Sequence, residues 1–117
     1  MELHKKYKSF NLDLNLERFT EIAKKAALIG SRILKENYQN IQNISSKGRK
    51  GDLVTNVDLE VEKQIKNFLE NESPEISILA EESGKTNRSN DLIWCIDPLD
   101  GTTNYSHGYP FFGTSVG

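Results

Sequence analysis

Cysteine is nearly absent from this sequence: Cys95 is the single one among 117 residues. That excludes a disulfide framework and any cysteine-based zinc site within the chain. Long apolar runs are missing as well. The opening stretch, MELHKKYKSF, has no signal-peptide core, and no run approaches the ~20 residues that span a bilayer. A cytoplasmic protein with no membrane association is therefore the expectation. The Asn-x-Ser triplets at Asn43, Asn87 and Asn104 then carry no weight as glycosylation sites. Charge of one sign is also lacking. Fifteen Lys and Arg stand against 17 Asp and Glu, a net charge of −2, which argues against a nucleic-acid partner drawn by phosphate attraction. Histidine is scarce. His4 sits in the ragged start and His107 reads as a surface loop residue, so no Ser-His or Cys-His nucleophile pair is evident.

What the chain does have is pattern, which argues against disorder. Its length bounds it to one domain with a modest core. Residues 1–14 read as an irregular lead-in. From Leu16 the apolar positions turn helical through Phe19, Ile22, Ala26, Ile29, Ile33 and Tyr38, with Asn15 as a cap. Residues 45–51, SSKGRKG, form a loop by composition, and DLVT reads as a short extended piece. A second helix follows, with Val57, Val61, Ile65 and Phe68/Leu69 on one face. Thr55 and Asp58 resemble a capping pair, and Glu60 and Glu62 suit the positive end of the helix dipole. NESP ends that helix, and EISILAEES reads as a strand running into acid. Residues 84–91 are a polar loop. LIWCI is a strand apolar on both faces, hence interior to a sheet, with Trp94 and Cys95 as core; residues 111–116, FFGTSV, make a third strand. The chain stops just after that strand, so the natural protein is expected to continue past Gly117.

The chemistry concentrates in IWCIDPLDGTTNY, residues 93–105. Pro98 biases Asp97 towards extended backbone, so Asp97 is expected to end the strand, where α/β sheets present ligand sites. Gly101 can take positive φ, and Thr102 and Thr103 can open a short helix whose amides receive an anion. Upstream, ISILA ends in Glu81 and Glu82. Two neighbouring strands ending in acid would gather these glutamates with Asp97 and Asp100. Two carboxylates at about 4 Å repel by about 4 kcal/mol at an effective dielectric of ~20, so a cation must offset them. All-oxygen ligands suit Mg²⁺, Mn²⁺ or Ca²⁺ and not zinc, and Asp97 could bridge two such ions. Two ions beside an anion-binding turn suggest phosphate chemistry.

The bland readings are simple. Asp-x-x-Asp-Gly on its own is common turn composition. Asp58 reads either as a helix cap or as a group that orients a hydroxyl or water. Lys47, Arg49 and Lys50 read by default as solvated loop cations, and Glu82 as either exposed or supporting its neighbours. Phosphatases of the haloacid-dehalogenase type also place Asp-Gly-Thr after a strand, but they space their aspartates two apart and not three, and they have no counterpart of AEES.

Three motifs in order, DLVTNVD, LAEESG and WCIDPLDGTTNYSHGYPFFGTSVG, resemble those of the inositol monophosphatase family over roughly residues 15–117. The resemblance implies an α/β chain that is the N-terminal portion of an α+β layered sugar-phosphatase fold, with alternating helix and sheet layers. It implies two or more Mg²⁺ ions held by Glu81, Asp97, Asp100 and the main chain of Leu99, and lithium sensitivity. It also implies that Thr102 and Asp58 together activate a water at the metals for in-line attack on phosphorus. Lys47 fits the family lysine on a mobile loop near the metals, and Gly101 and Thr102 fall where the substrate phosphate is held, beside Glu81, Leu99 and Asp100. The substrate implied is inositol 1-phosphate or a similar small polyol or sugar phosphate monoester, with nucleoside bisphosphate and histidinol phosphate as alternatives. Thr103 departs from the lysine usual in the nucleoside bisphosphate relatives. The resemblance allows a homodimer of the full-length form. Family members are much longer and supply a further aspartate from their second half. A chain ending at Gly117 is therefore expected to show little activity, and its alternative reading is a truncated, non-catalytic chain that binds metal or a partner.

Overall fold

The computed structural model describes residues 2–42, 47–80, 83–86, 91–108 and 112–117. Two long helices, α1 (Glu2–Gln42) and α2 (Lys47–Glu72), run antiparallel and cover one face of a four-stranded sheet. The strands are β1 (Ser77–Ala80), β2 (Gly84–Lys85), β3 (Ile93–Asp100) and β4 (Gly113–Val116), in the order β2-β1-β3-β4. β1 and β3 are parallel, while β2 and β4 pair antiparallel with their neighbours. A short helix, α3 (Thr102–His107), links β3 to β4. The 65 Å long axis of the molecule is that of α1, about 60 Å at ~1.5 Å per residue.

The core follows from two helical stripes. Ile22, Ala26, Leu34 and Ile41 of α1 face Val54, Val57, Val61, Ile65 and Leu69 of α2, over Ile78, Trp94, Ile96 and Leu99 of the sheet. Trp94 meets Phe19 edge-on with ring centroids 5.9 Å apart, and its Nε1 donates to Ser73 Oγ at 2.9 Å. Ser73 Oγ donates in turn to the Leu69 carbonyl at 2.9 Å, which closes the end of α2. No helix of the described residues is long and apolar enough to cross a membrane.

Several local expectations are corrected. The lead-in 1–14 is helical from Glu2, because no glycine or proline interrupts the chain before Gly30. Asn15 is therefore inside α1 and caps nothing. Residues 47–51 and DLVT are the first turns of α2 and not a loop and a strand. The buried stripe of that helix extends upstream through Val54, so tertiary packing overrides the two glycines. Residues 45 and 46 lie outside the described residues. Thr55 donates to the Gly51 carbonyl one turn back, at 3.1 Å, which is an in-helix bond and not a cap. Glu60 and Glu62 are consequently mid-helix. Within 84–91, Gly84 and Lys85 pair with Ala80 and Leu79 as a strand. Cys95 is exposed, on the sheet face away from the helices. Of FFGTSV, Phe111 lies outside the described residues, and the strand begins at Gly113. His107 is exposed, as expected of a surface residue, but it is the last residue of α3 and not part of a loop.

Candidate active site

β3 is the interior strand expected of the apolar run, but it does not end at Asp97. From Trp94 to Asp97 its residues alternate buried and exposed; then Pro98 and Leu99 are both buried and Asp100 is exposed. In an unbroken strand, residues three apart point to opposite faces. The pairing with β4 explains the break. Asp97 pairs with Ser115 and Asp100 with Gly113, so three steps on β3 are matched by two on β4. The extra residue is a β-bulge, which shifts the alternation by one and leaves Asp97 and Asp100 both on the solvent side. Pro98 has no N–H to give the ladder, so the irregularity falls where a donor is missing in any case. Its carbonyl instead accepts a hydrogen bond from Thr114 Oγ1 at 2.9 Å.

The chain then turns sharply. Gly101 adopts φ 83° and ψ 41°, the left-handed region where a Cβ is costly, and α3 starts at Thr102. Thr102 Oγ1 donates to the Leu99 carbonyl at 3.2 Å, and the Tyr105 amide donates to the Gly101 carbonyl at 2.9 Å. The Leu99 oxygen keeps a second lone pair. α3 is tied to α1 through its middle and its C-terminal end. Tyr105, fully buried, donates its hydroxyl to the Leu34 carbonyl at 2.7 Å, and Tyr38 donates to the carbonyl of Gly108, the residue that ends α3. Phe112 packs edge-on against Tyr105, with centroids 4.6 Å apart. Burial pushes the Tyr105 phenol up to about 12, with a smaller contribution from Tyr38.

Asp58 lies mid-helix on α2, which packs against both β3 and α3. It is half-buried, with one carboxylate oxygen shielded from water. The capping half of its reading is thereby removed. Glu62 follows one turn later on the same face, buried to 4% exposure, and its Oε2 accepts the Ser83 amide at 3.1 Å. Sequence reasoning passes over Glu62 as a dipole partner. A signal is there to be found, because it sits one turn after Asp58 and beside the buried Val61 and Ile65. Lys47 is the first residue of α2, and 11 residues at ~1.5 Å each put it roughly 16 Å along the axis from Asp58. Glu81 and Glu82 lie outside the described residues.

The face of β1, β3 and β4 away from the helices forms an open concavity of about 590 Å³, with Leu79, Cys95, Asp97 and Ser115 in its lining. Among the described residues no three Asp, Glu, His or Cys side chains converge. Asp97 and Asp100, both exposed, offer carboxylate oxygens on either side of the Leu99 carbonyl in the chain. This hard-oxygen set fits Mg²⁺ and does not fit a soft metal.

Fold and turn together define a class: an α+β chain whose central strand bulges to present two aspartates ahead of a Gly-Thr turn. Residues 15–117 match the inositol monophosphatase family, and the chain belongs to that family. It is 43% identical over 105 residues to the fructose-1,6-bisphosphatase/inositol-1-monophosphatase of Aquifex aeolicus, covering 88% of this chain and 39% of that protein. To the inositol-1-monophosphatase of Synechocystis it is 41% identical over 104 residues, covering 88% of this chain and 36% of that protein. The solved inositol monophosphatase from Anabaena superposes with a TM-score of 0.71 at 40% identity, over 88% of this chain and 35% of that one. The chain thus spans well under half the length of these relatives.

Proposed function

We propose that the chain carries the acidic part of a magnesium-dependent phosphomonoesterase site for small polyol and sugar phosphates. The observation that supports this best is the bulge, which leaves Asp97 and Asp100 on one side of β3, directly ahead of the Gly101–Thr102 turn. In this reading Asp97, Asp100, Glu81 and the Leu99 carbonyl hold two or more Mg²⁺ ions. Bound magnesium supplies a water activated near neutral pH and offsets charge on the leaving oxygen. The Thr102 hydroxyl would orient that water and the Asp58 carboxylate would take up its proton. The amides of Gly101 and Thr102 hold the phosphate in line. Lys47 is kept in this reading only as the residue that fits the family lysine, since it begins α2 about 16 Å along the axis from Asp58. The substrate class follows the relatives' names: one relative is named for both fructose 1,6-bisphosphate and inositol 1-phosphate, and another for inositol 1-phosphate alone.

A second reading is a chain that binds cation at the turn without turning substrate over. Phosphate release from inositol 1-phosphate and fructose 1,6-bisphosphate, measured with Mg²⁺ and with EDTA, separates the two. Release that requires Mg²⁺ and falls at least about a hundredfold in Asp100→Asn supports the phosphatase. Cation binding with no release supports the second reading. Release indifferent to both EDTA and Asp100→Asn contradicts the site assignment.

A further inference from the structure

β3 and β4 lose register at one place, between Asp97 and Asp100. A bulge breaks the ladder locally and leaves backbone groups in need of other partners. Here the carbonyl of Pro98, whose side chain is fully buried, takes its donor from a side chain, Thr114 Oγ1 at 2.9 Å. Thr114 is itself seated on α1. Gly30 is buried directly beneath it, and a Cβ at that position would stand 2.7 Å from Thr114 Cγ2 and 2.9 Å from its Cβ. Only bare backbone on α1 lets the threonine in. The result is a line of contact from α1 through Thr114 to the peptide between the two aspartates.

We propose that Thr114, seated on Gly30, is the positioning residue for the Asp97–Asp100 pair. Its hydroxyl fixes the bulge, and the bulge keeps both carboxylates on one side of β3, where a divalent cation can take oxygen from each. Without the extra residue, strand alternation returns Asp100 to the helix-covered side. The inference rests on reading that pair as cation ligands, as proposed above. It adds a residue that touches neither cation nor substrate. Valine at 114 keeps the shape and loses the donor; serine keeps the donor and loses the methyl.

The test compares the native chain with Thr114→Val and Thr114→Ser by amide hydrogen exchange, then by Mn²⁺ broadening of the NMR signals of Asp97 and Asp100. Cys95 and Gly117 exchange both backbone bonds, at 2.7 and 3.0 Å, so the ladder's alternation makes Asp97–Ser115 the next bonded pair and the reporter for the bulge. Thr114→Val is expected to speed exchange at Asp97 and Ser115 about fivefold while Val61 and Ile65 on α2 stay unchanged. It should also raise the Mn²⁺ concentration needed for broadening by a similar factor, and Thr114→Ser should restore both. Unchanged exchange at Asp97 and Ser115, or acceleration spread equally over α2, or failure of serine to restore, overturns the proposal. A native chain in which Mn²⁺ broadens neither aspartate contradicts the cation reading itself. The exchange data then still decide whether Thr114 holds the bulge.

Discussion

Tyr105 of α3 donates its hydroxyl to the carbonyl oxygen of Leu34 on α1, 2.7 Å away, from a fully buried position. The same residue's amide holds the Gly101 carbonyl, so one residue ties the turn after Asp100 to the long helix. Tyr105→Phe keeps the ring and its contact with Phe112 but removes the bond. A loss of about 1 kcal/mol at neutral pH is expected, read from the urea midpoint.

The phenol also sets an alkaline limit. Its folded value is raised to about 12 from the ordinary 10, chiefly by burial. A raised value means that the stabilisation is fully present below about pH 10 and is lost as pH climbs through 12. Stability of the native chain should therefore fall between these limits with a component that Tyr105→Phe lacks. Parallel curves for the two proteins over that window would contradict the account.

Glu75 gives the opposite sign. Its carboxyl is held below the ordinary 4.5, first by a hydrogen bond from its own backbone and then by Arg18, whose Nη1 lies 3.1 Å away. A lowered value means that the contribution is present above about pH 4.5 and is lost on acidification below it. The pair is nearly half exposed, so the effect is small. Glu75→Gln should flatten the acid limb of the stability curve slightly and leave the neutral region within about 0.5 kcal/mol.

Gly30→Ala tests the seat beneath Thr114. In an unencumbered helix interior the change stabilises by about 1 kcal/mol. Here the new Cβ would meet the Thr114 side chain at 2.7 Å and 2.9 Å, so a net loss of about 1–3 kcal/mol is expected. Adding Thr114→Ala should recover part of it, a coupling readable from a double-mutant cycle. Stabilisation by Gly30→Ala alone would show that the helix and strand part easily.

Much of the site is legible in the sequence. Strand, Asp-Pro-Leu-Asp, glycine with positive φ and short helix follow from local chemistry, and Trp94 is core because of its size. The bulge is not legible there. It is a mismatch between β3 and β4, a property of two strands together, and the aspartates' shared side depends on it. The start of α2 escapes for a related reason: KGRKG is loop-like in composition, and only packing of Val54 against α1 and the sheet makes it helical. Cys95 is apolar by type, yet strand alternation places it on the uncovered face. Glu62 looks like a dipole partner only because composition sets the start of its helix too late.

The central claim is that Asp97 and Asp100 belong to one shared metal centre. Titration of the chain with Mn²⁺, followed by water proton relaxation, tests it most directly in the native protein and in Asp97→Asn and Asp100→Asn. Each substitution is predicted to weaken binding by about tenfold or more, and the double variant no more than slightly further, because one site is lost either way. Binding of equal strength in all four proteins would contradict it.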